Sequence, residues 1–298
     1  MSEIFAFGPW AGEFGGELEV YQGRLRYLHR RVYPDSIFIV SGYAERSLLY
    51  EHANVYLPIP ECFVKQIRDG LYFARWNTLV KTGTEKALKP DEGIMGEINQ
   101  WFREETVQYG VTECLHPNTS WPTAFIDGAQ QEYVLLRTNE HPNIPKRSIA
   151  VFPRQRLNNT FRNWSEDNWI KLIHAITQDR TAVIIGPSYE VGLKDLEGPN
   201  IINIIGADLH TQVSYLQDCA LAVAPMCGAI RFTSYVGTPV VTFAPKGYYA
   251  QVIACEGKPV EANPFGTPVY ALASNNTWDY TYEAVLAHLQ SITDTHNL

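Results

Sequence analysis

Short apolar runs alternate along this chain with stretches whose apolar positions recur every three or four residues. The apolar runs have the length of strands buried on both faces, and the three-to-four spacing is that of amphipathic helices. Near the start, IFAF (4–7) and SIFIV (36–40) read as strands. Between them, glycines at 8, 12, 15 and 16 form a loop that runs into a helix carrying Leu18, Tyr21, Leu25 and Leu28 on one face. A short helix over 44–51 and a short strand over 55–57 follow. Residues 61–80 and 91–109 show a helical, aromatic-rich pattern with a loop between them, residues 111–130 read as irregular, and EYVLLR (132–137) reads as a further strand.

The segment TNEHPNIPK (138–146) holds two prolines and no apolar periodicity, which marks a linker. After it the alternation restarts. SIAVFP is a strand, and residues 164–178 form a helix with Ser165 as N-cap and Glu166 and Asp167 in its first turn. TAVIIG and IINIIG are strands, Asp208 opens the next helix, and residues 280–292 form the last one. Strands alternating with helices predict a parallel, doubly wound sheet. The expected fold is therefore α/β, with two Rossmann-like domains, 1–145 and 146–298, facing a cleft that would hold a ligand.

The most informative stretch is LAVAPMCGAIRFTSYVGTPVVTFAP (221–245). It reads as strand, glycine turn at Cys227-Gly228, helix over 229–236 stopped by Gly237 with Pro239 beyond, then strand. A helix that begins where a parallel strand ends aims its free N–H groups at the sheet's carboxyl edge, where open α/β sheets bind anions. An ordinary βαβ unit without a ligand is the plain alternative.

Composition narrows the field. Hydrophobic residues make up 45% of the 298, and the formal net charge is −8, with no Lys/Arg run suited to duplex nucleic acid. Arg24, Arg26, Arg30 and Arg31 cluster locally and read as a solvated helix face. There is no secretion signal and no apolar run long enough to span a bilayer, so a cytoplasmic protein is expected. The five cysteines lack metal-like spacing and read as free thiols; the eight histidines are scattered, and no DxD motif occurs, so no metal site is expected.

In their order, SIAVFPRQRLNNTFRNWSEDNWIKLI, AVIIGPSYE and INIIGADLHTQVSYLQDCALAVAPMCGAIRFTSYVGTPVVTFAP resemble the donor-binding domain of the bacterial lipopolysaccharide heptosyltransferases, glycosyltransferase family 9. The resemblance covers residues 148–246 and, in the first half, only the initial glycine loop. It implies the GT-B fold, a nucleotide-diphosphate sugar as co-substrate with no cofactor, a glycan or other hydroxyl acceptor, and a role in surface-glycan synthesis. By position it places Arg154 in the first phosphate loop and Arg162 where the family has a phosphate-binding lysine. Glu190 falls at a contact to the donor nucleoside, and Cys227 and Gly228 at a pair whose backbone receives the diphosphate. Met226 stands where the family has Asp, and Arg231 where it has His, which leaves the donor's identity open. Arg231 still suits a diphosphate through bidentate guanidinium contacts. Lys246, on the loop after the last strand of the stretch, joins this donor set.

Sugar transfer also requires a base for the acceptor hydroxyl. Glu13 and Glu17 in the first glycine loop are the candidates, and a carboxylate in a closed apolar cleft can have its pKa raised toward neutrality. Glu17 also suits a plain helix-start acid. The reading is a metal-independent, inverting glycosyltransferase. A nucleotide-sugar 2-epimerase and a non-catalytic nucleotide-sugar or glycan binder of the same fold are the alternatives.

Overall fold

The computed structural model describes residues 3–12, 14–69, 93–111, 114–115, 130–155, 160–187, 192–247, 263–273 and 276–297. The chain divides into two compact units, Met1–Val134 and Leu135–Leu298. The break falls earlier than the one expected after residue 145. Leu136 N–H donates to the Tyr235 carbonyl and Thr138 exchanges hydrogen bonds with Gln217, so the start of the expected linker is bound into the second unit.

The first unit holds a parallel sheet in the order β3-β2-β1-β4, from β1 (Ile4–Phe7), β2 (Ile37–Gly42), β3 (Val55–Pro58) and β4 (Cys114–Leu115). Helix α1 spans residues 14–32, with α-helical turns at Phe14–Gly16 and Gln22–Tyr27 and wider π turns at Glu17–Tyr21 and Leu28–Val32. Its Leu18, Tyr21, Leu25 and Leu28 are buried, as the spacing predicts. A 3-10 segment at Ala44–Tyr50 follows β2, and α2 (Glu61–Asp69) and α3 (Gly93–Val107) complete the unit. The rest of the helix expected over 61–80 lies outside the described residues.

Two expectations need correction here. EYVLLR is not a strand: its Glu132 N–H donates to the Gly23 carbonyl and its Leu136 N–H to a carbonyl at the end of a helix, so its backbone partners are helices. Arg26 does not lie on a solvated face: it is 3% exposed, donates to Gln22 Oε1 and the Leu49 carbonyl, and burial lowers its pKa to about 10. Arg30 and Arg31 are the exposed members, and both pair with Glu132.

The second unit holds a six-stranded parallel sheet, β10-β9-β8-β5-β6-β7. Its strands are β5 (Ile149–Val151), β6 (Ala182–Ile184), β7 (Ile201–Asn203), β8 (Leu221–Pro225), β9 (Val240–Phe243) and β10 (Val269–Leu272). Read in chain order within the unit this is 3-2-1-4-5-6, the doubly wound order of dinucleotide-binding folds. Helix α4 (Glu166–Ile176) starts at Ser165, whose hydroxyl accepts from Asn168 N–H, and buries Trp169, Leu172, Ile173 and Ile176 at helical spacing. These pack with β5, β6 and β8 and with Tyr280, Val285 and Leu289 from the last segment. Each such side chain stabilises the fold by roughly 1.5–3 kcal/mol. Helix α5 (Leu209–Asp218) is capped by Asp208, as expected. Helix α6 (Gly228–Val236) ends at Gly237, whose φ of 77° is the left-handed cap that glycine supplies. Helix α7 (Tyr282–His296) closes the chain. Among the described residues no helix is long and apolar enough to cross a membrane, and the four described cysteines are free thiols.

Candidate functional site

In the second unit the strand order reverses between β5 and β8, which pair through Ile149–Leu221, Ala150–Ala222 and Val151–Val223. From that point one chain crossover leaves toward β6 and the other toward β9. The loops after β5 and β8 therefore diverge and leave a crevice at the carboxyl edge. Arg154 follows β5 in that loop, and its N–H donates to the Phe152 carbonyl. Met226, Cys227 and Gly228 follow β8. Met226 N–H donates to the Phe243 carbonyl at 3.3 Å, which ties the turn to β9. Cys227 is the N-cap of α6, its Sγ 3.5 Å from Ala229 N. The free N–H groups of α6 thus begin at the reversal point. Arg231 lies in the first turns of that helix, and Lys246 follows β9, the next strand over, with an exposed side chain.

Arg162 joins this edge through direct contacts. It lies in a 3-10 turn, Thr160–Arg162, just before α4. Its Nη2 donates to the Met226 carbonyl at 2.9 Å, and its guanidinium carbon sits 4.9 Å from the centre of the Trp278 ring. Trp278 is 8% exposed. Trp164 Nε1 donates to the Tyr280 carbonyl at 2.7 Å, and Tyr280 Oη donates to the Ala244 carbonyl at 3.0 Å. The segment Trp278–Tyr280 thus holds the Arg162 turn to the ends of β8 and β9. Sequence reasoning missed Trp278, because nothing in its local pattern signals a partner so distant in the chain. It also passed over Phe161, the chain neighbour of Arg162 in the same turn, which is 63% exposed.

Arg154 and Lys246 follow strands that end at this sheet edge, Arg162 precedes a helix that begins there, Cys227 and Gly228 open α6 there, and Arg231 lies in the first turn of that helix. Glu190 lies outside the described residues. Among the described residues no three His, Cys, Asp or Glu side chains converge as a metal-binding group would.

In the first unit the corresponding reversal lies between β1 and β4. Gly8 leaves β1 with φ 125°, and a Cβ there would come within 2.7 Å of the Ser41 carbonyl oxygen. Beyond it, Trp10 N–H donates to that same oxygen at 2.9 Å. Glu17, in the first π turn of α1, has no exposed surface. Its Oε2 accepts from Arg46 Nη1 at 2.5 Å and its Oε1 from Tyr50 Oη at 2.7 Å. Burial raises the Glu17 carboxyl above its ordinary pKa, against the Arg46 charge and the hydrogen bonds from Tyr50 and Arg46. Glu13 lies outside the described residues.

No family model matches the chain, and no curated protein sequence matches it. Solved structures do. The ADP-heptose lipopolysaccharide heptosyltransferase II of E. coli matches with a TM-score of 0.58 at 14% identity, over 99% of this chain and 100% of that one. A glycosyl transferase family 9 protein of Veillonella parvula matches at 0.55 and 10% identity, over 99% and 96%. The E. coli heptosyltransferase WaaC with ADP matches at 0.50 and 12% identity, over 97% and 99%. The fold of this chain is that of the heptosyltransferases, the GT-B fold built from two Rossmann-like units.

Proposed function

We propose that the chain is a metal-independent, inverting glycosyltransferase that moves a sugar from a nucleotide-diphosphate donor to a hydroxyl of a glycan or other acceptor. It would act in the cytoplasm and need no cofactor beyond that co-substrate. The observation that carries this reading is the Arg162 guanidinium, bonded to the Met226 carbonyl beside the start of α6, at the edge where the strand order reverses. Breaking the bond between sugar and diphosphate leaves negative charge on the departing oxygen. Helix N–H groups and guanidiniums already in place can stabilise that charge without reorganising. Arg154, Arg231 and Lys246 supply further cations, the Cys227-Gly228 backbone receives the diphosphate, and Glu190 contacts the ribose.

Transfer is a single displacement. The acceptor oxygen bonds to the anomeric carbon as the carbon–oxygen bond to the diphosphate breaks. The diphosphate leaves with the electron pair, and the acceptor's proton passes to a carboxylate. Of the two candidates, Glu17 has both oxygens engaged by donors and no exposed surface. This supports Glu13 as the base.

A thermal-shift panel of UDP, GDP, ADP and CMP sugars tests the donor site, since a ligand that binds the folded state raises its melting temperature. Stabilisation by one nucleotide series, with release of the nucleoside diphosphate on incubation, is the expected result. A donor that binds and is never turned over would make the chain a binder. A donor returned as its C2 epimer would make it an epimerase.

A further inference from the structure

The Arg162 guanidinium is held at the start of α6 by the Met226 carbonyl, which accepts from Nη2 at 2.9 Å, and by the Trp278 ring, whose centre lies 4.9 Å from the guanidinium carbon. That distance is inside the roughly 6 Å over which a ring face attracts a cation, and tryptophan attracts best. An arginine side chain has many rotamers to lose, and a hydrogen bond at one nitrogen fixes one point of the fork. A ring against its carbon fixes a second. The carbonyl and the ring are both uncharged, so each orients the guanidinium without offering an anion that would compete with a diphosphate. Trp278 itself is 8% exposed, which leaves it little surface for a ligand of its own.

The ring is in turn held by its own segment. Tyr280 N–H donates to the Trp278 carbonyl at 3.0 Å, and Tyr280 is 3% exposed with its ring centre 5.9 Å from that of Phe243 in β9. Tyr280 Oη reaches the Ala244 carbonyl, and the next residue, Thr281, caps α7 by accepting from Ala284 N–H at 3.3 Å. Trp164, two residues after Arg162, donates to the Tyr280 carbonyl at 2.7 Å. These contacts close a circuit. The side chain of Arg162 rests on Trp278, Trp278 is bonded to Tyr280, and Tyr280 is bonded to Trp164 in the same stretch of chain as Arg162. The guanidinium and its own backbone are therefore referenced to one buried segment, which is tied to the end of β9.

We infer that Trp278 is a positioning residue for donor binding: its ring holds the Arg162 guanidinium against the Met226 carbonyl, so that the cation already stands at the start of α6 when a diphosphate arrives. The inference rests on the reading of Arg162 as a diphosphate ligand, so the experiment separates the two.

Wild-type protein is titrated calorimetrically with UDP, GDP and ADP, and the tightest of the three is carried through a cycle of Arg162→Ala, Trp278→Met and the double variant. Methionine fills space without a ring face. Trp278→Met is expected to raise the Kd about fivefold, and Trp278→Phe, which keeps a ring, about twofold. In the Arg162→Ala background the Trp278→Met change should alter the Kd by less than twofold, because a residue that acts through another loses its effect when that other is gone. A merely structural Trp278 would weaken binding equally in both backgrounds, and that result would overturn the inference. So would an unchanged Kd in Trp278→Met where Arg162→Ala binds weakly, and the reading of Arg162 would then stand. Wild-type affinity in Arg162→Ala, or no binding of any of the three by the wild type, would remove that reading and this inference with it. Should Trp278→Met fail to fold, Trp278→Phe decides by the same cycle.

Discussion

The guanidinium of Arg162 donates to the carbonyl oxygen of Met226 at 2.9 Å, so a cation from the turn before α4 is fixed at the turn that opens α6. Position in the sequence made Arg162 a stand-in for a lysine. Its forked geometry does more than a point charge, because one arm can hold the Met226 carbonyl while others face an anion. Arg162→Ala should weaken binding of the nucleoside diphosphate by at least tenfold, in line with about 1.5–3 kcal/mol for a charged hydrogen bond. Arg162→Lys should recover only part of the loss. Titration calorimetry measures both. Wild-type affinity in Arg162→Ala would make Arg162 a structural tie alone.

Cys227 caps α6 poorly, since a sulfur 3.5 Å from the Ala229 nitrogen is a weak acceptor. Cys227→Ser places a hydroxyl at the same N-cap, where it accepts well. A gain of about 0.5–1 kcal/mol is expected, or roughly 1–4 °C in melting temperature for a protein of this size. Calorimetric melting of the two proteins checks it, and donor binding should be retained.

His52 makes the first unit sensitive to acid. Burial, together with the charges of Arg26, His29 and Arg30, lowers its pKa to about 3. Neither ring nitrogen has a hydrogen-bond partner among the described residues. The unfolded chain takes up this proton near pH 6.5, the folded one only near 3, so stability is full above the first value and falls as pH drops through the window. Glu17 works in the opposite sense: its raised pKa means that the folded state holds a proton more readily, and acidification favours folding at that group. His52→Leu should flatten the loss of urea midpoint between pH 7 and pH 4 relative to wild type. An unchanged slope would refute the role given to His52.

Gly237 ends α6 with φ 77°, and a Cβ added there would lie 3.1 Å from Arg137 Nη2. The Arg137 side chain can move aside, so the cost of Gly237→Ala is chiefly backbone strain, about 1–2 kcal/mol. Gly237→Asn should cost less, because asparagine enters the left-handed region more readily. Thermal melts of both variants give the order.

Elements that close locally were legible in the sequence. Ser165 and Asp208 cap the helices they were expected to cap, and Gly237 stops α6. LAVAP and VVTF form strands within their expected stretches, because continuous apolar runs of that length suit only a doubly covered sheet. The errors share one cause. EYVLLR has the composition of a strand but donates its N–H groups to Gly23 and Tyr235, which no local pattern announces. The two-residue β4 and the four-residue β10 escaped notice; both are edge strands, held by their neighbours β1 and β9.

For this chain, the sequence alone determined the alternation of strand and helix, the caps and turns, and the glycine turn that opens α6. Each depends on residues within a few positions of one another. Only the tertiary structure decided that Arg162 meets Met226 and Trp278, and that Arg26 is buried. The same holds for the engagement of Glu17 by Arg46 and Tyr50. A charged side chain's role depends on which distant partner shares its burial, and that partner is chosen by the order of strands in the sheet.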